Sequence, residues 1–450
     1  MNRTISINNG IIVTMNEKRE VFRGSLLIEN NKIAQIEKGE KKLKAEYEID
    51  ASGGIVTPGF ICSHTHLYGI LLRGAPLKIK PPTDFTQNLQ RIWWPMDETM
   101  NYKDAYISAL TASLELLRTG TTTFADTFSG PNAIKGVLDE IEKGVLEAGI
   151  RGFIAFEATQ RRSDEEGFKG LEENERYIKK PKDERMKGMV SIHASFTVHD
   201  DLLKKGKEIS DKYSVPLTLH TSEGKWDLYH NLERYGKRTF ERLYDVGVLG
   251  ERTLVAHAVQ VNEDEMGLIA KTKTSVAHNA LSNMLNAVGV APVPEMLRLG
   301  INVSIGNDGY VFDTFENIRA TYLIHKVNKL DPRVMSFLQV IEMSTINAAK
   351  ALGVENYLGS LEVGKLADVV LIKPSVRPTP LNETSVYGYL VNSVNGKDVD
   401  TVIVDGKVLL KEGKFAAINV EEVNRKAEEL VSDYWSRLEK ATEKVEVLKL

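Results

Sequence analysis

Between Ile55 and about Gly353 the sequence repeats one pattern eight times: a short apolar run, then a longer stretch with the apolar period of a surface helix. Few folds accept that alternation. A helix between consecutive strands makes them parallel, and eight such units with their helices outside close into a (β/α)8 barrel, which needs about 250 residues or more. The expected barrel strands are Ile55–His64, Thr121–Asp126, Gly152–Ala158, Met189–Ala194, Pro216–His220, Leu254–His257, Thr274–His278 and Asn302–Gly306.

The flanks read differently. Up to residue 54 the chain has short strands, Thr4–Ile7, Ile11–Met15, Gly24–Glu29 and Lys32–Glu37, separated by turn signals such as Asn8-Asn9-Gly10 and Asn30-Asn31. Short strands return after Gly364, at Ala367–Ile372 and across Thr401–Val408, where Asp405-Gly406 is a hairpin signal. Neither flank is large enough to bury a core alone. The expected fold is therefore α/β: a distorted TIM (β/α)8 barrel over residues 55–363, with a smaller, discontinuous β-sandwich built from 1–54 and 364–417. Ile418 to Leu448 reads as a helical tail within residues 418–450. No internal repeat or low-complexity segment interrupts this plan.

Composition narrows the chemistry. The 450 residues are 42% hydrophobic and 27% charged, an ordinary globular balance. Lysine plus arginine number 58 against 62 acidic residues, a formal net charge of -4, and no basic tract is present to follow a phosphate backbone. Nucleic acid is not an expected partner. No run of about 18 apolar residues occurs and the N-terminus lacks a signal-peptide pattern, so no membrane association and a cytoplasmic location are expected. Composition leaves a homo-oligomer open. With a single cysteine, Cys62, a thiolate-rich metal site is excluded, and any metal must be held by His and carboxylate.

Candidate ligands fall at the C-terminal ends of the expected strands, the face on which barrel enzymes place their chemistry. His64-Thr65-His66 ends the first strand, where an i, i+2 pair points both imidazoles the same way. His220 ends Pro216–His220, with Glu223 three residues on, and Asp308 follows the last strand. Three imidazoles and one carboxylate suit one divalent ion, zinc above iron or manganese, and leave a position open for water. Such a cation brings water close to ionisation at neutral pH. Glu223 is placed to carry a proton from it. His257, at the end of Thr253–His257, is placed to orient it. Single strand-end histidines are usually structural, but His64, His66, His220 and Asp308 in strand order, with Glu223 between, outweigh that reading. His193, His278 and Asn283 are candidate substrate contacts. Trp93-Trp94, in the insertion between Gly74 and Asn101, is expected to pack as core or lid.

These segments resemble the amidohydrolase superfamily, in its branch of cytosine, guanine and S-adenosylhomocysteine deaminases and triazine hydrolases. The resemblance covers almost the whole chain. It rests on Val56–His66, Arg73-Gly74, Leu117–Thr123, His220–Glu223, Ala256-His257, His278–Asn283, Gly306–Gly309 and Gly359–Asp368. Ile92–Asp97 and His278–Gly289 are similar to the aminohydrolases associated with selenium and purine metabolism. The resemblance implies that His64, His66, His220 and Asp308 hold the metal, that Glu223 moves the proton, and that His257 and Asp308 act on the hydrolytic water. It implies a mononuclear site, because no lysine ends the fourth strand. Ala280 stands where many members have proline, and Asn307 where many have threonine, departures that bear on substrate geometry. The implied activity is hydrolytic deamination of an amino-substituted N-heterocycle such as a purine or pyrimidine. The alternative is loss of halide or an alkylamine from a related carbon. A non-catalytic scaffold on the same fold is disfavoured, because every ligand position is filled. Asp97 matches a place where nucleoside deaminases of this branch carry a glutamate that grips ribose; its competing role is to cap a helix beginning near Glu98.

Overall fold

The computed structural model describes residues 4–443. Eighteen strands are present among them. The first five are β1 (Thr4–Val13), β2 (Val21–Glu29), β3 (Lys32–Lys38), β4 (Tyr47–Asp50) and β5 (Ile55–Pro58). The next nine are β6 (Phe60–Thr65), β7 (Thr121–Phe128), β8 (Arg151–Ala158), β9 (Met186–Gly188), β10 (Val190–Ala194), β11 (Leu217–Thr221), β12 (Thr253–His257), β13 (Ser275–His278) and β14 (Val303–Ile305). The last four are β15 (Val369–Ile372), β16 (Val399–Val404), β17 (Lys407–Lys411) and β18 (Lys414–Phe415).

Strands β6, β7, β8 and β10 to β14 lie side by side in chain order, all parallel, with the short β9 added beside β8. Apart from the partly exposed His220, their residues are buried on both faces, which is why these segments read as continuous apolar runs rather than as an alternation. The circle closes where β14 meets β6, through a parallel bridge between Thr65 and Asp308. Asn307 and Asp308 donate their amides to the His64 carbonyl at 3.0 and 3.2 Å, and the His66 amide donates to the Asp308 carbonyl at 3.1 Å. Barrel closure therefore brings the first and last candidate ligands together.

The stretch expected as one strand, Ile55–His64, is two. β5 belongs to the other sheet, pairing with β1 in parallel and β15 antiparallel, and the barrel starts only at Phe60. Gly59 is the switch: a Cβ there would lie 2.0 Å from the Thr122 hydroxyl, so only glycine allows the chain to pass. The second sheet runs β18-β17-β16-β15-β5-β1-β2-β3, with β4 on β1, so the two ends of the chain share one hydrogen-bonded path around its own apolar cluster, which includes Ile5, Leu26, Val369 and Ile403.

Arg151, on β8, crosses to this sheet. Its guanidinium reaches Asp368 at 3.1 and 3.3 Å, with both side chains under 5% exposed. Removing one partner of such a pair leaves a buried charge, which costs about 3–5 kcal/mol. Arg151→Met is expected to lose stability of that order in equilibrium urea unfolding. A loss below about 1 kcal/mol would put the pair among weak surface contacts.

The tail is helical over Val420–Thr442, while residues 444–450 of the expected tail lie outside the described residues. It braces the barrel mouth. Arg437 holds Asp104 at 2.8 Å, and Trp435 donates to the Leu71 carbonyl at 2.7 Å, just beyond the His64-Thr65-His66 segment. The insertion after Gly74 folds as a helical strap: Phe85–Asn88, a π-helical turn over Leu89–Trp93, and Trp94–Thr99. Wide turns of this kind are uncommon and cluster at functional sites.

Candidate active site

The strand ends converge. His66 Nε2 lies 3.0 Å from His220 Nε2 and 3.2 Å from Asp308 Oδ1, and His64 Nε2 lies 3.6 Å from the same oxygen. The His257 ring stacks beside His220 with centroids 5.6 Å apart. His64, His220, His257 and Asp308 each present a ligand atom within 4.8 Å of the others. The backbone is bent to achieve this: Ser222, His257, Ala258 and Asp308 all have φ between 47° and 74°, uncommon for residues with a Cβ and typical of functional turns.

The donor set fits a cation. The His66 Nδ1 proton goes to the Thr127 carbonyl at 2.8 Å and that of His220 to the His193 carbonyl at 2.7 Å, so both Nε2 atoms face each other as lone pairs. Two lone pairs 3.0 Å apart repel unless a positive charge sits between them. Both nitrogens of His64 are buried with no hydrogen-bond partner. Among the side chains alone, burial opposes charge on His66, yet the Asp308 carboxylate lifts its pKa to about 10. Burial meanwhile pushes His64 down to about 4 and His220 well below its usual value. The Asp308 carboxylate thus favours positive charge at the point where the ring nitrogens converge, as a cation site requires. A second grouping, His66, Glu157 and His220, exists on the far side of the rings. There both imidazoles present N–H groups already bonded to carbonyls, so Glu157 sits behind the ligands rather than among them.

Glu223 follows β11 and is buried, with Oε2 3.4 Å from His257 Nε2. Burial first, then the Asp308 charge, pushes its carboxyl well above the usual carboxylate range, which suits a group that must take up and release a proton. Its amide neighbour Ser222 donates to Asp227 at 2.6 Å, pinning the turn.

Of the expected substrate contacts, Asp97 and His193 line the cavity, together with Trp93, Phe85, Phe196 and Tyr68. Asp97 does not cap a helix near Glu98, because it sits inside the helix Trp94–Thr99 and the next helix is capped by Asn101. It is held by Arg161 at 2.7 Å and by the Tyr68 hydroxyl at 3.1 Å. His278 and Asn283 stand elsewhere. Asn283 lies behind His257 and accepts its Nδ1 proton at 2.8 Å, which fixes that ring. His278, the last residue of β13, meets His325 at 3.2 Å rather than lining the cavity. Sequence reading missed Glu157, Arg161, Asn286 and Tyr310. Arg161 is one of many arginines and Tyr310 one of fifteen tyrosines, so only their position marks them.

A parallel barrel with imidazoles and a carboxylate gathered at its C-terminal mouth, and a buried carboxyl beside them, defines a metal-dependent hydrolase. The amidohydrolase family matches residues 55–409, and the chain belongs to it, as a hydrolase of carbon–nitrogen bonds. It is 32% identical to a 5'-deoxyadenosine deaminase of Methanobrevibacter smithii, over 96% of this chain and 98% of that one. It is 34% identical to a 5-methylthioadenosine/S-adenosylhomocysteine deaminase of Thermococcus kodakarensis, over 90% of this chain and 94% of the relative. Its fold superimposes on an adenosine deaminase from Xanthomonas campestris with a TM-score of 0.86 at 22% identity, covering 97% of this chain and 98% of that one.

Proposed function

We propose that this chain is a zinc-dependent deaminase that replaces the amino group of an adenosine-type nucleoside by oxygen, releasing ammonia. The observation that carries the reading is Glu223: a buried carboxyl against His257, beside a pair of imidazole lone pairs that call for a cation. His64, His66, His220 and Asp308 would hold the ion, and the solved structural relative contains zinc. A divalent ion in this donor set supplies a water nucleophile at neutral pH. Glu223, with Oε2 3.4 Å from His257 Nε2, would carry a proton from the attacking water to the departing nitrogen. His257, locked by Asn283, orients the oxygen. Trp93, Phe85 and Phe196 wall the heterocycle away from bulk water.

The deaminase relatives act on nucleosides by name, and Asp97 gives that reading a residue in this chain. A carboxylate has about four acceptor positions, and Tyr68 and Arg161 occupy two. The remainder can accept sugar hydroxyls, each charge-assisted bond being worth about 1.5–3 kcal/mol. Asp97→Asn keeps the shape and is expected to raise KM for a nucleoside by about 10- to 100-fold, with the free base little affected. Equal losses on both substrates would remove Asp97 from sugar recognition.

The activity itself is tested by an ammonia-release screen over adenine nucleosides, free purines, pyrimidines, pterins and triazines, with metal content measured on the same sample. Release that follows metal content supports the proposal. A metal-loaded protein silent across the screen overturns it.

A further inference from the structure

Asn286, which caps the C-terminal end of the helix Ala280–Leu285 after β13, stands at the centre of a hydrogen-bonded cluster that joins four separate segments. Its Oδ1 accepts from the Tyr310 hydroxyl at 3.0 Å and from Asn88 Nδ2 at 2.9 Å. Its Nδ2 donates to Glu223 Oε1 at 3.3 Å and to the Ser282 hydroxyl at 3.3 Å. Ser282 donates in turn to Asp308 Oδ2. On the other side the Tyr310 oxygen accepts from Trp93 Nε1 at 2.6 Å and from the second proton of Asn88 Nδ2 at 3.3 Å. Trp93 and Asn88 belong to the helical strap, Glu223 to the loop after β11, and Tyr310 to the loop after β14.

The donors and acceptors of this cluster match one another. Both protons of each amide, the tyrosine and serine protons and the indole N–H are all placed on acceptors, with none left over. Turning the Asn286 amide over would set its NH2 against the Asn88 NH2 and the Tyr310 hydroxyl proton, so the seated strap favours the orientation in which the NH2 faces Glu223. Without Asn88 and Trp93 in place, the Tyr310 oxygen loses both of its donors and the Asn286 oxygen one of its two, which loosens the amide whose NH2 faces Glu223.

We propose that Asn286 is a positioning residue for Glu223, and that it couples the placement of that carboxyl to the seating of the strap. The proposal rests on the proton-carrying role of Glu223 given above. Trp93 is then both a wall of the cavity and the outer end of a chain that ends on Glu223. A strap lifted to admit substrate leaves the carboxyl unset; a strap closed over substrate sets it.

The test uses the full-length, metal-loaded protein. Tyr310→Phe removes one oxygen and keeps the ring against Trp93, and Asn286→Leu removes the amide. Hydrogen exchange at the amides of residues 85–94 is expected to rise roughly tenfold in both variants, the loss of about one hydrogen bond, with Tm and metal content unchanged. On a substrate found by the ammonia screen, Asn286→Leu is expected to lower kcat roughly tenfold with KM little changed, and to lower it no further in a Glu223→Gln background. Unchanged exchange overturns the coupling whether or not the protein deaminates anything. Independent, multiplying losses from Asn286→Leu and Glu223→Gln overturn the positioning role. Failure of the function proposal appears separately, in the unaltered protein's silence across the screen.

Discussion

Replacing His64 and His66 together by alanine is expected to leave the purified protein without bound metal and without turnover. The unaltered protein should hold about one ion per chain, because the described residues assemble one cluster whose nitrogens face inward as lone pairs. Removing two imidazoles leaves His220 and Asp308 of the four proposed ligands, too few to hold an ion against water. The loss in kcat should be about 10³-fold or more, since the charge stabilisation contributed by a bound ion amounts to several kcal/mol and each 1.4 kcal/mol is tenfold. The fold should survive. β6 is anchored by backbone hydrogen bonds and by the buried Phe60, Ile61 and Cys62, none of which the substitutions touch. Elemental analysis with circular dichroism decides the matter: unchanged metal content in a folded double variant would overturn the ligand set.

Glu223→Gln should separate metal binding from chemistry. The amide has the shape of the carboxyl and its oxygen can still accept from Asn286, so the turn held by Ser222 and Asp227 has no reason to move. Metal content and KM are expected to stay near those of the unaltered protein. What disappears is the ability to take a proton and return it, a step worth about 10² to 10⁴-fold in kcat. Of the other carboxylates lining the cavity, Asp308 is a proposed metal ligand, Asp227 is bonded to the Ser222 amide, and Asp97 and Glu157 are engaged by Arg161 and Thr127. A variant with near-normal kcat would take Glu223 out of the reaction.

Much of this site was legible before any coordinates. Within a strand the side-chain period of two places His64 and His66 on one side, and the eight-fold alternation puts His220, His257 and Asp308 at the same end of the barrel. Those inferences hold because they depend on local geometry and on strand order alone. The reading stops where strands end. Asn283 lies in the helix after β13, where the strand period no longer applies, and supports His257; His278 is the last residue of β13 and packs on His325. Asp97 needed the path of the strap to show that it lies inside a helix and faces Arg161. Gly59 needed the approach of Thr122 to show that one apparent strand serves two sheets.

The sequence by itself determined the barrel, the metal-binding residue types and the end of the barrel that carries them, because apolar period and strand-end chemistry are properties of neighbours in the chain. Tertiary structure alone decided how the candidate ligands are aimed and what surrounds Glu223. Positive φ at Ser222, His257 and Asp308 bends each strand end inward, and Asn88, Trp93, Asn286 and Tyr310 meet from segments up to 222 residues apart. Hydrogen bonds over such separations leave no trace in local pattern, since each requires only a donor and an acceptor brought together by closure of the whole barrel.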